Sequence, residues 1–168
     1  MPIAYVTNFT SGTVSVIDTK THSAIATIQV ENAPLSVTIT PDGKLAYVVN
    51  SGSATISVID IKTHCVVSTI QVGINPQFSK FSLDGKLAYV NNSSDVTISI
   101  IDVRTHSVIA TVQIGLFPSS VAFTTDGKLA YIANFGSNTV SVIDVKTHSV
   151  IATVSVVLDP SFVAITSS

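Results

Sequence analysis

The chain is made of short runs in which apolar and polar residues alternate or β-branched residues cluster. Residues 45–50 (LAYVVN), 54–60 (ATISVID) and 65–72 (CVVSTIQV) are such runs, and a fourth begins at Pro76 and ends in an Asp-Gly turn. Runs of this kind, bounded by Asn, Asp, Gly and Ser, are typical of β-strands. No segment has the 3.6-residue periodicity of an amphipathic helix over a useful length. The pattern predicts an all-β protein.

The same runs recur with a fixed period of 42 residues. AYVTN at residue 4 returns as AYVVN at 46, AYVNN at 88 and AYIAN at 130, and four periods without insertions account for all 168 residues. Four strands in roughly 40–45 residues, repeated in tandem, are the signature of a propeller blade. A blade cannot bury both faces of its sheet alone, so it needs neighbours. We therefore predict one β-propeller domain, residues 1–168, of four four-stranded antiparallel blades.

The repeated unit also resembles a known family. Its consensus, LAYVxN, then TVSVIDxKTHSVIATIxVG, then VAFTxDGK, is similar to the YVTN-repeat β-propellers over essentially the whole chain. The resemblance implies a bladed ring, and it implies surface-layer, cell-surface or binding roles more often than catalysis. Members of that family usually carry more blades than four, and many are exported.

A histidine stands in the same turn of every repeat, within the pattern D-x-K/R-T-H-S/C. The four are His22, His64, His106 and His148. The turn joins the third strand of a blade to the fourth, which places it on the outer rim, because neighbouring strands are about 4.8 Å apart. Histidines of different blades are then too far apart to share a zinc ion, whose ligand nitrogens lie about 2.0–2.1 Å away. Adjacent His-Ser pairs on separate turns do not form a converging triad either.

We interpret these turns as structural, with Asp forming an Asx-type turn and His partly exposed. We accordingly expect no catalytic residue and no metal site among them. No glycine-rich phosphate loop and no CxxC pair occurs, so we also expect no cofactor. The single cysteine, Cys65, cannot form an internal disulfide, so it leaves the cellular compartment open.

Charge and hydropathy exclude further classes of partner. Charged residues make up only 11% of the chain and the net charge is −2, with both signs interleaved. This gives no basic stripe for nucleic acid. No apolar stretch reaches the length of a membrane span, and residues 1–10 do not have the pattern of a signal peptide. We expect a soluble chain with no nucleic-acid partner.

Candidate binding residues are found where the repeats differ, since the shared positions are explained by the scaffold. The unshared apolar and acidic residues fall in two kinds of loop: second to third strand, and outermost to next innermost strand. Both kinds open on the same end of a propeller, and an apolar patch with a few acids is typical of a docking surface. Loop packing without a function is the alternative. The candidate patch comprises Phe9, Glu31, Ile74, Asp95, Leu116, Phe117, Phe135 and Asp159.

Lys80 differs from its equivalents on the innermost strand. Those equivalents are Thr38, Ala122 and Ala164. We expect Lys80 to point into the central channel, where it would attract an anion, or else to extend into solvent.

The repeat register also predicts how the ring closes. The two termini fall within the hairpin between an innermost strand and its neighbour, so residues 162–166 would pair with residues 3–8. This pairing would remove two exposed sheet edges. It can form within one chain as four blades, turning about 90° each, or between two chains as eight, turning about 45° each. We favour the closed monomer slightly over the homodimer.

Two classes of function remain. We favour a non-catalytic scaffold that binds a protein or a surface component through the candidate patch. The alternative is a lactonase-like hydrolase of small molecules, with a metal at the channel mouth held by Glu31, Asp95 or Asp159. These acids are few and scattered, which favours the scaffold over an enzyme.

Overall fold

A computed structural model of the chain describes residues 2–166 and contains fifteen strands and one short 3-10 turn, Phe135–Ser137, within them. Blade 1 consists of β1 (Ile3–Asn8), β2 (Thr13–Asp18) and β3 (Ser23–Gln29). Blade 2 consists of β4 (Pro34–Ile39), β5 (Leu45–Asn50), β6 (Thr55–Asp60) and β7 (Cys65–Gln71). Blade 3 consists of β8 (Pro76–Phe81), β9 (Leu87–Asn92), β10 (Thr97–Asp102) and β11 (Ser107–Gln113). Blade 4 consists of β12 (Pro118–Phe123), β13 (Leu129–Asn134), β14 (Thr139–Asp144) and β15 (Ser149–Ser155).

Each sheet is an antiparallel meander in chain order, as the repeat pattern predicts. In blade 2 the order is β4-β5-β6-β7, and blades 3 and 4 repeat it. The first strand of each of these blades starts at a proline, a position where the missing N–H is tolerated. The all-β, four-blade prediction is confirmed, and the predicted strands at 45–50, 54–60 and 65–72 agree with β5, β6 and β7 to within one residue at each end.

The core lies between blades rather than within them. Three apolar clusters are present, and each is shared by two successive blades. Between blades 2 and 3, Tyr47, Val58 and Ile70 pack with Phe81 and Val90. The Tyr47 and Phe81 rings pack edge to face at a centroid distance of 5.0 Å, a favourable aromatic geometry. Each blade is therefore stabilised mainly by its neighbours.

A buried asparagine at the end of the second strand ties that strand to the third. The side-chain amide of Asn50 donates to Thr55 Oγ1 at 3.1 Å and to Ser57 Oγ at 2.9 Å. Asn92 and Asn134 make the same pair of bonds in blades 3 and 4. Asn50 is fully buried, so its side-chain amide cannot bond to water, and these two hydrogen bonds satisfy it instead.

The predicted pairing of residues 162–166 with residues 3–8 is not formed. Within residues 2–166, β1 pairs with β2 alone, and residues 156–166 contain no strand. The C-terminal segment instead follows β12: Ser119 Oγ donates to the Pro160 carbonyl at 3.2 Å, and the Val163 amide donates to Ser120 Oγ at 3.0 Å. Strands of different blades pack substantially only where the blades follow one another in the chain. Blade 1 and blade 4 are therefore at opposite ends of an open array.

This arrangement corrects the expectation that the ring closes within one chain. Blade 1 lies at the other end of the array, so the segment beside β12 does not reach β1 of the same chain. Residues 1, 167 and 168, where the predicted hairpin between the termini falls, lie outside the described residues.

We expect Asn50→Ala to lower the free energy of unfolding by about 2 kcal/mol, since it leaves two buried hydroxyl groups without their shared donor. Asn32→Ala is the control, because Asn32 is exposed in a loop and surface substitutions typically change stability by less than about 0.5 kcal/mol. Urea denaturation of both variants measures the difference. Equal losses would show that the Asn50 bonds contribute little.

Candidate functional site

The aspartate of each D-x-K/R-T-H-S/C turn organises that turn, as predicted. Asp60 Oδ1 accepts from the Thr63 amide at 2.8 Å and from the Thr63 hydroxyl at 2.9 Å. Asp102 and Asp144 accept the same two bonds from Thr105 and Thr147. The bond from the Thr63 amide is the main cause that lowers the pKa of Asp60, so this carboxylate is ionised at neutral pH. The Asx-turn interpretation is confirmed for these residues.

The histidines have a further role that the sequence did not reveal. All four adopt a left-handed backbone conformation, with φ between 52° and 57°. In two of them Nδ1 also contacts a tyrosine of the preceding blade: His64 Nδ1 lies 3.0 Å from the Tyr5 hydroxyl, and His106 Nδ1 lies 3.0 Å from the Tyr47 hydroxyl. In the third pair the Tyr89 hydroxyl oxygen and His148 Nδ1 are buried but do not form this bond. Burial raises the pKa of Tyr47, which keeps its hydroxyl protonated.

The signal for this contact was the constant spacing of two repeated columns. Tyr5, Tyr47 and Tyr89 of the AY-V/I motif are each followed 59 residues later by a histidine of the next repeat. The pairing is not visible within a single repeat, because the bond joins residues of different blades.

The candidate patch lies on one end of the blade array, which we call the candidate face. It carries the loops between second and third strands and those between successive blades. Backbone hydrogen bonds join the two kinds of loop: the Ser51 amide donates to the Ala33 carbonyl at 2.9 Å, and the Phe135 amide donates to the Phe117 carbonyl at 3.0 Å. These loops are therefore fixed to one another.

Three of the predicted patch residues come together on two such loops of blade 4. Leu116, Phe117 and Phe135 are exposed, Phe117 to 59% of its surface, and the Gly136 amide donates to the Leu116 carbonyl at 2.9 Å. The Phe117 ring covers Gly136 so closely that a Cβ there would lie 2.5 Å from a ring carbon. We call these three residues the aromatic cluster.

Phe117 has an unfavourable backbone conformation. Its φ is 49°, a left-handed value shared by the equivalent residues Ala33, Asn75 and Asp159. Asparagine and aspartate tolerate this region, whereas a bulky residue there costs about 1–2 kcal/mol. A large apolar side chain that is both strained and exposed is a reason to look for a function.

The acidic patch residues do not converge. Asp95 Oδ2 accepts from the Ile74 amide at 2.6 Å, and the equivalent Ser53 accepts from the Asn32 amide at 3.0 Å. Asp95 therefore braces a loop in the way that serine does in another repeat. Glu31 and Asp159 are exposed on other loops of the candidate face.

The remaining patch residues are spread along the array. Ile74 and Asp95 are held together on loops of blade 3, next to the aromatic cluster. Phe9, 56% exposed, lies on blade 1, remote in the array from Asp159 beyond blade 4. Whether these residues form a binding site stays a prediction.

Lys80 is exposed on β8, where it lines an open groove of about 310 Å³ with Thr38 and Leu83. The Thr38 hydroxyl donates to the Ser79 carbonyl at 3.1 Å, which keeps β4 and β8 side by side. Lys80 thus lies on an innermost strand, and whether its ammonium group points into a central channel stays a prediction.

A cavity that the sequence did not indicate lies on the opposite end, between blades 2 and 3. Its volume is about 540 Å³, and charges of both signs line it. The lining residues are Asp42, Leu45, Gly85, Lys86, Asp102, Val103, Arg104 and His106. Most belong to positions that repeat in the other blades, which marks the cavity as part of the scaffold.

Residues 2–166 contain no group of three or more His, Cys, Asp or Glu side chains placed to hold a metal ion. Over the same residues, no helix has the length and apolar character needed to cross a membrane.

Solved structures of similar fold include much longer chains. Hydrazine synthase of Kuenenia stuttgartiensis matches with a TM-score of 0.82 and 28% identity over 90% of this chain and 45% of that one. A functionally unknown protein from Desulfotomaculum acetoxidans DSM 771 matches with a TM-score of 0.78 and 20% identity over 92% of this chain and 53% of that one. The chain thus spans about half the length of these structures. No curated protein matches its sequence.

A family profile covers nearly the whole chain. The profile of the cytochrome D1 heme domain matches residues 2–93 and again residues 77–160, in two overlapping registers, as expected for a repeat sequence. That family consists of eight-bladed β-propellers. The predicted propeller relationship is thereby confirmed, and the chain belongs to the cytochrome D1 heme domain family.

Proposed function

We propose that this chain is a non-catalytic binding module whose aromatic cluster docks a protein or a component of a surface. The observation that carries the proposal is the exposed Phe117, held in a left-handed conformation on loops that are fixed by backbone hydrogen bonds. Aromatic residues on rigid supports dominate the energetics of protein interfaces. The resemblance of the repeats to YVTN-repeat propellers, with their surface and binding roles, supports the same proposal.

The placement of the acids gives the hydrolase alternative no support. The acids proposed to hold a metal, Glu31, Asp95 or Asp159, lie on three different loops, and Asp95 braces a backbone amide. The fold alone assigns neither activity, since propellers serve many functions. For that reason the similarity to hydrazine synthase does not assign the activity of that protein to this chain.

The family name implies a haem, but the residues of this chain do not fit one. Haem iron is held in proteins by His, Cys, Met or Tyr side chains. The innermost strands β4, β8 and β12 contain none of these residue types. The histidines lie on the turns between the third and fourth strands of each blade. Nδ1 of His64 and of His106 is already hydrogen-bonded to a tyrosine hydroxyl. The innermost strands β4, β8 and β12 therefore offer no axial ligand to a haem iron.

The proposal predicts that Phe117→Asn weakens binding without loss of stability. Asparagine occupies the equivalent left-handed position at residue 75, so the loop is kept while the ring is removed. Peptides selected on the wild-type chain from a phage-displayed random library serve as the probe. Their dissociation constants should rise at least about tenfold, as expected for a central aromatic contact.

Ala33→Asn is the matched control, because it makes the same kind of change at the same loop position far from the aromatic cluster. It should leave peptide affinity unchanged. The melting temperature of Phe117→Asn should equal or exceed that of the wild type, because strain is relieved. Peptides that bind Phe117→Asn as tightly as the wild type, or a failure to select any, would contradict the proposal.

A further inference from the structure

The two outer faces of the array are complementary to each other. In the three interfaces between blades, the second strand of the following blade contributes a buried alanine and a larger residue that is fully buried: Val48, Val90 or Ile132. The equivalent residue of blade 1 is Val6, which is 43% exposed. Blade 1 thus presents an uncovered face of the kind that its neighbours bury.

Blade 4 presents the other half of the same interface. The outermost strand of the preceding blade contributes Ile28, Ile70 or Val112 to an interface, and these residues are at most 7% exposed. The equivalent residue on β15 is Val154, which is 46% exposed. The uncovered face of blade 4 therefore fits the uncovered face of blade 1 by the same residue pattern as the three existing interfaces.

Strand pairing is incomplete in a matching way. Blade 1 lacks an innermost strand beside β1, so one edge of β1 is unpaired within residues 2–166. Residues 160–166 lie along β12 in the position of an innermost strand for a following blade, but they have no second strand beside them. One chain thus carries both parts of an unfinished blade at opposite ends of the array.

The tyrosine–histidine contact points to the same partner. Tyr131 is the fourth member of the tyrosine column, and its spacing of 59 residues leads beyond the described chain. His22 is the first member of the histidine column, and it is exposed, whereas the other three histidines are partly buried. A second copy whose blade 1 follows blade 4 would bring its His22 to Tyr131.

We infer that two copies of this chain associate head to tail into a closed ring of eight blades. Residues 160–165 of each copy complete blade 1 of the other, and each of the two new interfaces repeats the three that already exist within a chain. Two copies carry eight blades, which is the number in the cytochrome D1 heme domain family and falls within the range of propellers that close. A head-to-tail contact of this kind closes a ring when its rotation fits.

The mass in solution should therefore be about twice the 17.5 kDa of one chain, measured by light scattering after size exclusion with reductant present. Val6→Lys should reduce it to that of a single chain, because the charge would be buried in the new interface. Ile109→Lys is the matched control: Ile109 is 47% exposed and its equivalents in the other blades are exposed as well. A wild-type chain that stays single at all concentrations, an assembly of more than two copies, or an unchanged mass for Val6→Lys would overturn the inference.

The tyrosine contact gives a second prediction. Tyr131→Phe should raise the dissociation constant of the dimer roughly fivefold to a hundredfold, since two hydroxyl bonds are lost per ring. Tyr47→Phe removes the equivalent bond inside a chain, so it should lower the melting temperature and leave the dissociation constant unchanged. Equal dissociation constants for Tyr131→Phe and the wild type would show that Tyr131 has no partner in the dimer.

A cysteine pair distinguishes pairing between chains from pairing within one. In the existing blades Val37 lies opposite Val48 and Val121 lies opposite Ile132, so Val163 should lie opposite Val6 of the second copy. In a Cys65→Ser background, the double variant Val6→Cys, Val163→Cys should form a disulfide-linked dimer on oxidation, because opposite strand residues have suitable spacing. Each single variant is the control. It should not form this disulfide, because it lacks one of the two opposed cysteines. A disulfide within one chain, or thiols that stay free, would refute the two-copy ring.

Discussion

The constraint on which this structure depends is that every blade has two apolar faces and can cover neither by itself. Burial of a Val, Ile or Tyr side chain contributes about 1.5–3 kcal/mol, and here that burial is gained almost entirely between blades. Within a blade, hydrogen bonds fix the geometry, through the strand ladder and through buried asparagines such as Asn50. A blade at the end of the array therefore has correct internal hydrogen bonding and an uncovered side.

The sequence predicts the parts of the fold that repeat locally. Alternation, β-branched runs and turn residues placed the strands of blades 2 to 4, because each of these signals acts within one hairpin. Whether the ring closes within one chain could not be predicted, since closure depends on the rotation between blades, which no local pattern encodes. The tyrosine–histidine bonds were missed for a similar reason. They join residues of different blades, so no signal within one hairpin reveals them.

The candidate site was predictable in position but only partly in chemistry. Differences between repeats located Phe117 and Phe135 on one face, because scaffold positions are shared and loop tips are free to differ. They could not show that Asp95 is a brace, since serine and aspartate accept the same amide bond and the substitution looks like a new charge. Nor could they show that Phe117 is strained, because the left-handed position of the loop is occupied by four different residue types.

The proposed ring and the proposed binding face bear on each other. Within one chain, the Phe135 amide donates to the Phe117 carbonyl, which fixes the loop of one blade to the loop that precedes it. Phe9 and Asp159 are the equivalents of Phe135 and Phe117, but they stand at opposite ends of the array. In a ring of two copies, Phe9 of one copy meets Leu158 and Asp159 of the other, and the loops can form the same bond. Each new interface then carries an aromatic and an apolar residue beside an acid, so the face offers a second kind of contact in addition to the aromatic cluster. Because the ring is two-fold, a partner that is itself a dimer could engage both copies of either contact at once, which raises its apparent affinity without any new residue.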